Sequence, residues 1–111
     1  MNTTSVRIKF RESAIKGKEG TLYYQVIHNR AVRQIKTDYH LHSDEWNEED
    51  ENLVRSKVSD AERHGYLNEL AERVRSDRLR LVRIISEFDC NGIGYTANDV
   101  VDKYYELTSR Q

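Results

Sequence analysis

The sequence predicts an α+β fold: a three-stranded antiparallel sheet backed by a long helix, followed by a short C-terminal helix. Three observations predict it: apolar and polar residues alternate within the first 42 residues, an apolar heptad pattern follows from about residue 60, and a second helical pattern begins at Thr96. Alternation is typical of half-buried strands and heptad spacing of helices. With 37% hydrophobic and 33% charged residues among 111, the chain can build one small core.

The first part of the chain predicts the sheet. Residues 6–11 alternate apolar with basic side chains, and residues 21–28 are rich in β-branched and aromatic residues, so each segment is predicted to be a strand. Residues 29–30 form a short turn, because asparagine tolerates positive φ, and residues 31–41 return antiparallel as the third strand. Arg33 shares its parity with the apolar residues of that strand, which indicates a bulge or an edge position.

A short connection is expected between the sheet and the long helix. Ser43 is predicted to cap a helical turn whose first positions are acidic. Trp46 then lies within reach of the sheet and is predicted to be in the core. Residues 47–51, NEEDE, are predicted to be a solvated acidic stretch.

Capping and heptad signals predict the helices. Ser59 and Glu62 match a capping box, and the long helix is predicted over Asp60–Phe88. Its heptad positions are interrupted only by Asp77. They are occupied by Leu67, Leu70, Val74, Leu81, Ile84 and Phe88. The sequence CNGIGY then ends this helix, and Thr96 caps the last one.

The apolar seam of the long helix leaves two interpretations open. Such a seam is more often intramolecular packing than a dimer interface. A helix of this length is nevertheless expected to extend beyond a three-stranded sheet, so that Leu81, Ile84 and Phe88 meet a partner or a second copy.

Charge is distributed unevenly along the chain. Residues 1–42 contain eight Lys and Arg against three Asp and Glu, whereas the remainder contains ten against sixteen. An asymmetry of this size predicts a polyanion-binding surface on the sheet. The arginines of the long helix are scattered and balanced by acids, so a solvated face is the better interpretation for them.

The predicted ligand is nucleic acid. Arg7, Lys9 and Arg11 share one strand face at about 6 to 7 Å spacing, and a two- or three-stranded ribbon fits the major groove of DNA. Tyr23 adds a stacking surface, while Gln25 and Arg33 are candidates to contact base edges. The candidate DNA-binding residues are Arg7, Lys9, Arg11, Lys16, Lys18, Tyr23, Gln25, Arg30, Arg33 and Lys36.

Other chemistries find less support. The glycines around Lys18 stand between two strands, whereas a phosphate-binding loop needs a strand before it and a helix after it. His40 and His42 have only Asp44 as a third metal ligand, so they are predicted to be surface histidines. No nucleophile, base and orienting group can be assembled. We therefore predict no enzyme activity, no metal and no cofactor.

Composition also predicts the cellular compartment. No apolar run is long enough for a signal peptide or a membrane span, and a single cysteine, Cys90, fits a reducing environment. The chain is expected in the cytoplasm, with no membrane partner.

Several runs resemble one known family. VRIKFR, GKEGTLYYQVIHNR, VRQIKTDYHL and SDEWNEED, within about residues 5–50, are similar to the amino-terminal region of tyrosine-type site-specific recombinases, the integrases of phages and conjugative transposons. The later run YTANDVVDKYYEL is similar to the segment that leads into their helical core-binding domain.

This resemblance implies an arm-type DNA-binding domain whose sheet enters the major groove of accessory sites during DNA integration. It divides the chain into a sheet domain, residues 1–58, and a helical segment, residues 59–111, that leads toward a core-binding domain. The family's catalytic residues belong to a carboxy-terminal domain, so the chain is expected to be a non-catalytic fragment acting on nucleoid DNA. Its implied partners are double-stranded DNA and the remaining recombinase domains. The alternative is a protein-interaction module that uses the heptad helix, or self-association through it.

Overall fold

The computed structural model describes residues 4–54 and 60–108, and it confirms the predicted α+β fold class. The sheet order is β1-β2-β3, with both pairs antiparallel. In chain order the elements are β1 (Thr4–Arg11), β2 (Gly20–His28), β3 (Ala31–Leu41), a 3-10 turn (Ser43–Glu45), β4 (Trp46–Asn47), β5 (Asn52–Leu53), α1 (Ala61–Asn91) and α2 (Ala97–Thr108).

Turn chemistry and a bulge shape the sheet as the sequence indicates. Asn29 and Arg30 have φ values of 49° and 72°, which close the β2–β3 hairpin tightly. The register of β2 with β3 shifts between Thr21 and Tyr23, and β3 is an edge strand, so a bulge and an edge position, the two predicted alternatives, are both present. Gly20 permits the close approach of β1, because a Cβ at this position would collide with the Arg11 carbonyl oxygen and with the ring of Phe10.

One face of the sheet carries the core. Leu22, Tyr24 and Val26 of β2 are fully buried on it. The helix α1 packs against β1 and β5, while α2 packs against β2 and β3, so the two helices together cover this inner face. Trp46 is buried as predicted, and it joins the same apolar cluster.

The helix boundaries differ in detail from the prediction. Asp60 is the N-cap of α1, where its carboxylate accepts a bond from Arg63 N–H; the predicted cap, Ser59, lies outside the described residues. The helix continues three residues beyond the predicted end and stops at Gly92, whose φ of 68° is favourable for glycine. At α2 the predicted capping pair is confirmed, since Thr96 and Asp99 bond each other's backbone N–H.

The heptad seam of α1 is buried within the chain. Leu81 is 0% exposed, Ile84 is 3% exposed and Phe88 is partly buried against the same core, so the expectation that these residues extend beyond the packed part of the chain is wrong. The reason is α2, whose residues Val100 and Tyr104 belong to the same core cluster. Residues from both predicted segments, 1–58 and 59–111, thus form one core.

The connection after β3 is more ordered than the sequence suggests. The 3-10 turn is capped by His42 rather than by Ser43, and His42 N–H donates to Glu45 Oε1 at 2.7 Å. The acidic stretch forms the turn of the β4–β5 ribbon, where Glu51 has φ of 51°. The side chain of Glu51 is only 12% exposed, so the prediction of a fully solvated stretch is wrong for this residue.

Neither helix of the part of the chain that the structure describes is long and apolar enough to cross a membrane.

Candidate nucleic-acid interface

The face of the sheet opposite the helices, here called the outer face, holds the strongest candidate site. Its composition follows from period two, because the alternate residues of each strand are buried on the inner face. Cross-strand pairing arranges its side chains in four rows. The rows are Ser5–Ile27–Val32, Arg7–Gln25–Gln34, Lys9–Tyr23–Lys36 and Arg11–Thr21–His40.

The rows place cations on the outer strands and uncharged side chains in the middle. Lys9 of β1 and Lys36 of β3 flank Tyr23 of β2, so positive charge stands on both sides of an aromatic ring. Gln25 stands in the same central column, one row away. Three strands at about 4.8 Å spacing make a surface about 10 Å wide.

Each cation of β1 has a neighbour. Arg7 Nε lies 2.6 Å from Glu51 Oε2, and Lys9 Nζ lies 3.7 Å from Glu48 Oε1. The Arg11 guanidinium lies 5.0 Å from the centre of the Tyr23 ring, a cation–π distance. Arg7 and Arg11 are exposed and Lys9 half-buried, so all three remain accessible from the outer face.

Both edges of the sheet are partly covered. On the β1 side, Ile8 N–H donates to Glu51 Oε1 at 2.9 Å. On the β3 side, Lys36 N–H donates to Tyr105 Oη of α2 at 3.3 Å. These contacts occupy edge groups to which another strand would bind, and they leave the outer face as the open surface of the sheet.

The structure separates some of the predicted site residues from this face. Arg33 pairs with buried Val26 and therefore lies on the inner-face side, where its Nε donates to Asn98 Oδ1 at 2.7 Å. Lys16 and Lys18 lie in the β1–β2 loop at one end of the sheet, and Arg30 lies in the hairpin turn at the other end. These three lysine and arginine side chains therefore frame the outer face without forming part of it.

Gln34 was missed by the sequence reasoning. It stands opposite Gln25 in the second row, and Arg11 donates to its Oε1 at the long distance of 3.5 Å. The alternation of side chains along a strand indicated the position of Gln34, because residues two apart lie on the same face and Lys36 is two residues further on. The parity of Arg33, equal to that of Ile35, likewise indicated the inner side.

The two predicted surface histidines, His40 and His42, are both exposed. His40 is exposed, and its Nδ1 lies 3.1 Å from Thr21 Oγ1. Across residues 4–54 and 60–108, no group of three or more His, Cys, Asp or Glu side chains is arranged to hold a metal ion.

The tyrosines are engaged in hydrogen bonds and packing. Burial raises the pKa of Tyr24, Tyr39 and Tyr104, and the nearby carboxylate of Asp77 raises it further. Burial also raises the pKa of Tyr95. A lowered pKa would favour a tyrosine nucleophile, because the deprotonated phenolate is the form that attacks.

Comparison of the chain with protein-family models, with curated proteins and with solved structures finds no match in any of the three.

Proposed function

We propose that the chain is a non-catalytic DNA-binding part of a tyrosine recombinase, and that its outer face binds arm-type sites in the major groove during DNA integration. Its partners would be double-stranded DNA and the other recombinase domains, in the cytoplasm with the nucleoid. The arrangement of the outer face carries the proposal, together with the resemblance of residues 5–50 to the integrase amino-terminal region.

The dimensions of the face suit a groove. The major groove of B-DNA is about 12 Å wide and accepts a β-ribbon, and three strands span about 10 Å. Phosphates line both sides of the groove and base edges form its floor. A face with cations on its outer strands and Tyr23 and Gln25 in its central column matches this order.

The roles follow from position. Arg7, Lys9 and Arg11 would contact phosphates, which gives affinity without sequence preference. Gln25 and its neighbour Gln34 carry amides that match the donor and acceptor pattern of adenine in the major groove. Recognition of the DNA sequence is thereby assigned to these two glutamines.

The interaction-module alternative receives no support from the helix seam, because that seam is buried within the chain. The absence of enzyme activity stays a prediction.

Replacing Lys9 and Arg11 with Ala tests the proposal. If both contact phosphates, the variant binds random-sequence duplex DNA more weakly, and the slope of log K against log salt decreases by about 1.8, or roughly 0.9 for each contact. Fluorescence anisotropy over a range of salt concentrations measures both quantities.

The matched control replaces Arg75 and Arg78 with Ala, which removes equal charge from α1 on the β1 side. Both residues line the cleft beneath Glu51, away from the outer face. Equal weakening by the control and by the strand variant would show that net charge, rather than the outer face, determines binding. Absence of binding by the unmodified chain at low salt would reject the DNA-binding function itself.

A further inference from the structure

A groove of about 410 Å³ opens at the β3 edge of the sheet. Residues from β3, α1 and α2 form its walls. They include Lys36, Tyr39, Arg73, Asp77, Arg80 and Tyr105. Lys36 belongs to this groove and also to the third row of the outer face, so the two surfaces are continuous.

Helix periodicity brings two guanidinium groups to the groove. Arg73 and Arg80 are seven residues apart, which is two turns and about 10.5 Å along the axis, so they lie on the same side of α1. Both are exposed. Within residues 4–54 and 60–108, neither Arg73, Arg80 nor Lys36 forms a side-chain ion pair.

The two carboxylates of the groove, Asp38 and Asp77, differ in their hydrogen bonds and exposure. Asp77 Oδ2 accepts hydrogen bonds from Tyr24 Oη and Tyr39 Oη, each at 2.7 Å. Asp38 is exposed at the rim. The three cations of the groove outnumber these two carboxylates, and the remaining positive charge favours an anion.

The two edges of the sheet differ in whether their cations form ion pairs. Beside β1, Glu48 and Glu51 contact Lys9 and Arg7. Beside β3, Arg73 and Arg80 line the groove without an ion pair among the described residues. The major groove of DNA is about 8.5 Å deep. A sheet inserted to its floor therefore has a phosphate backbone alongside each of its two edges. The backbone beside β1 would meet Arg7, Lys9 and Arg11 of the outer face, and the backbone beside β3 would meet Lys36 together with the two helix arginines.

We infer that the groove lined by Arg73, Arg80 and Lys36 binds phosphates of the DNA backbone that passes the β3 edge. The inference rests on the proposed function and adds a second contact surface, on α1, to the outer face. Four arginines of α1 thus divide by position: Arg73 and Arg80 line the groove beside β3, whereas Arg75 and Arg78 line the cleft on the β1 side.

The test replaces Arg73 and Arg80 with Gln, which keeps most of each side chain and removes its charge. Random-sequence duplex DNA is titrated by fluorescence anisotropy at several salt concentrations. Loss of two phosphate contacts lowers the salt slope by about 1.8 and the affinity on the order of tenfold to a hundredfold at 0.1 M salt. The Arg75→Gln/Arg78→Gln control, with equal charge removed from the same helix, should change the slope much less. Circular dichroism checks that each variant is folded.

The outcomes separate the two proposals. If the unmodified chain binds DNA and the Lys9/Arg11 variant is weakened, but the Arg73/Arg80 variant behaves like its control, the groove inference is overturned and the outer face stands. If the Arg73/Arg80 variant alone is weakened, the groove is the main contact and the outer-face assignment fails. No binding by the unmodified chain overturns both.

Discussion

Asp77 stands at the position where the heptad pattern of α1 is interrupted, and its contacts explain why an acid is there. The carboxylate accepts hydrogen bonds from Tyr24 and Tyr39, which project from two different strands. Tyr24 is fully buried, so its hydroxyl needs an acceptor inside the protein. One polar residue on the helix therefore fixes how α1 lies over the sheet.

Replacing Asp77 with Leu should destabilise the chain, although it completes the apolar heptad. The buried Tyr24 hydroxyl loses its acceptor, and an unsatisfied buried group costs about 1 to 3 kcal/mol. Urea unfolding followed by circular dichroism measures the change. Adding Tyr24→Phe to the variant removes the orphaned hydroxyl and should recover part of the loss; a stabilised single variant would contradict this account.

At the scale of elements, Arg63 connects three parts of the chain. From the first turn of α1 it donates to Glu45 of the 3-10 turn at 2.6 and 2.8 Å and to Glu19, at the end of the β1–β2 loop, at 2.5 Å. Glu45 is 5% exposed, and the hydrogen bonds that it accepts from the Arg63 guanidinium lower the pKa of its carboxyl below the usual range of a glutamate. The arrangement docks the start of the helix onto the loop end of the sheet.

The stability contributed by this pair should depend on pH. A carboxyl with a lowered folded-state pKa stabilises the fold above its unfolded pKa, and that contribution is lost as the pH falls through the folded value. Arg63→Gln should therefore cost about 1.5 to 3 kcal/mol at pH 7 and progressively less below about pH 4. Urea unfolding of both proteins from pH 7 to pH 3 tests this, and a difference that is constant across the range would contradict it.

Local pattern predicted the elements that depend on local rules. The strands, the Asn29–Arg30 turn and the Thr96 cap follow from alternation, positive φ and reciprocal hydrogen bonding, and the structure confirms them. The β4–β5 ribbon was missed, because its two-residue strands are too short for any periodicity to appear. Contacts between distant residues, such as Glu51 with Ile8, have no signature in a single sequence.

The candidate site was predictable to a similar degree. Charge and parity together place Arg7, Lys9 and Arg11 on one face, and the register confirms this. The groove beside β3 was not predictable, since it depends on where α2 packs. The helix arginines are scattered in the sequence, whereas the structure places Arg73 and Arg80 at one cleft beside α1 and Arg75 and Arg78 at another.

At the scale of the whole molecule, the buried residues join the sheet and both helices. Tyr24 of β2, Leu81 of α1 and Val100 of α2 belong to one cluster, and Trp46 belongs to it as well. Neither segment 1–58 nor segment 59–111 keeps this cluster without the other. A single shared core of this size favours cooperative unfolding.

We therefore expect Ile84→Ala to destabilise the sheet together with the helices. Ile84 is 3% exposed, and truncating a buried isoleucine costs about 2 to 5 kcal/mol. Trp46 fluorescence reports on the sheet side of the core, and circular dichroism at 222 nm reports on the helices. In urea the two transitions should coincide in the unmodified chain and should shift together in the variant, because both probes follow the same core. A variant in which the helical transition moves while Trp46 unfolds at its original urea concentration would show instead that the two segments fold independently.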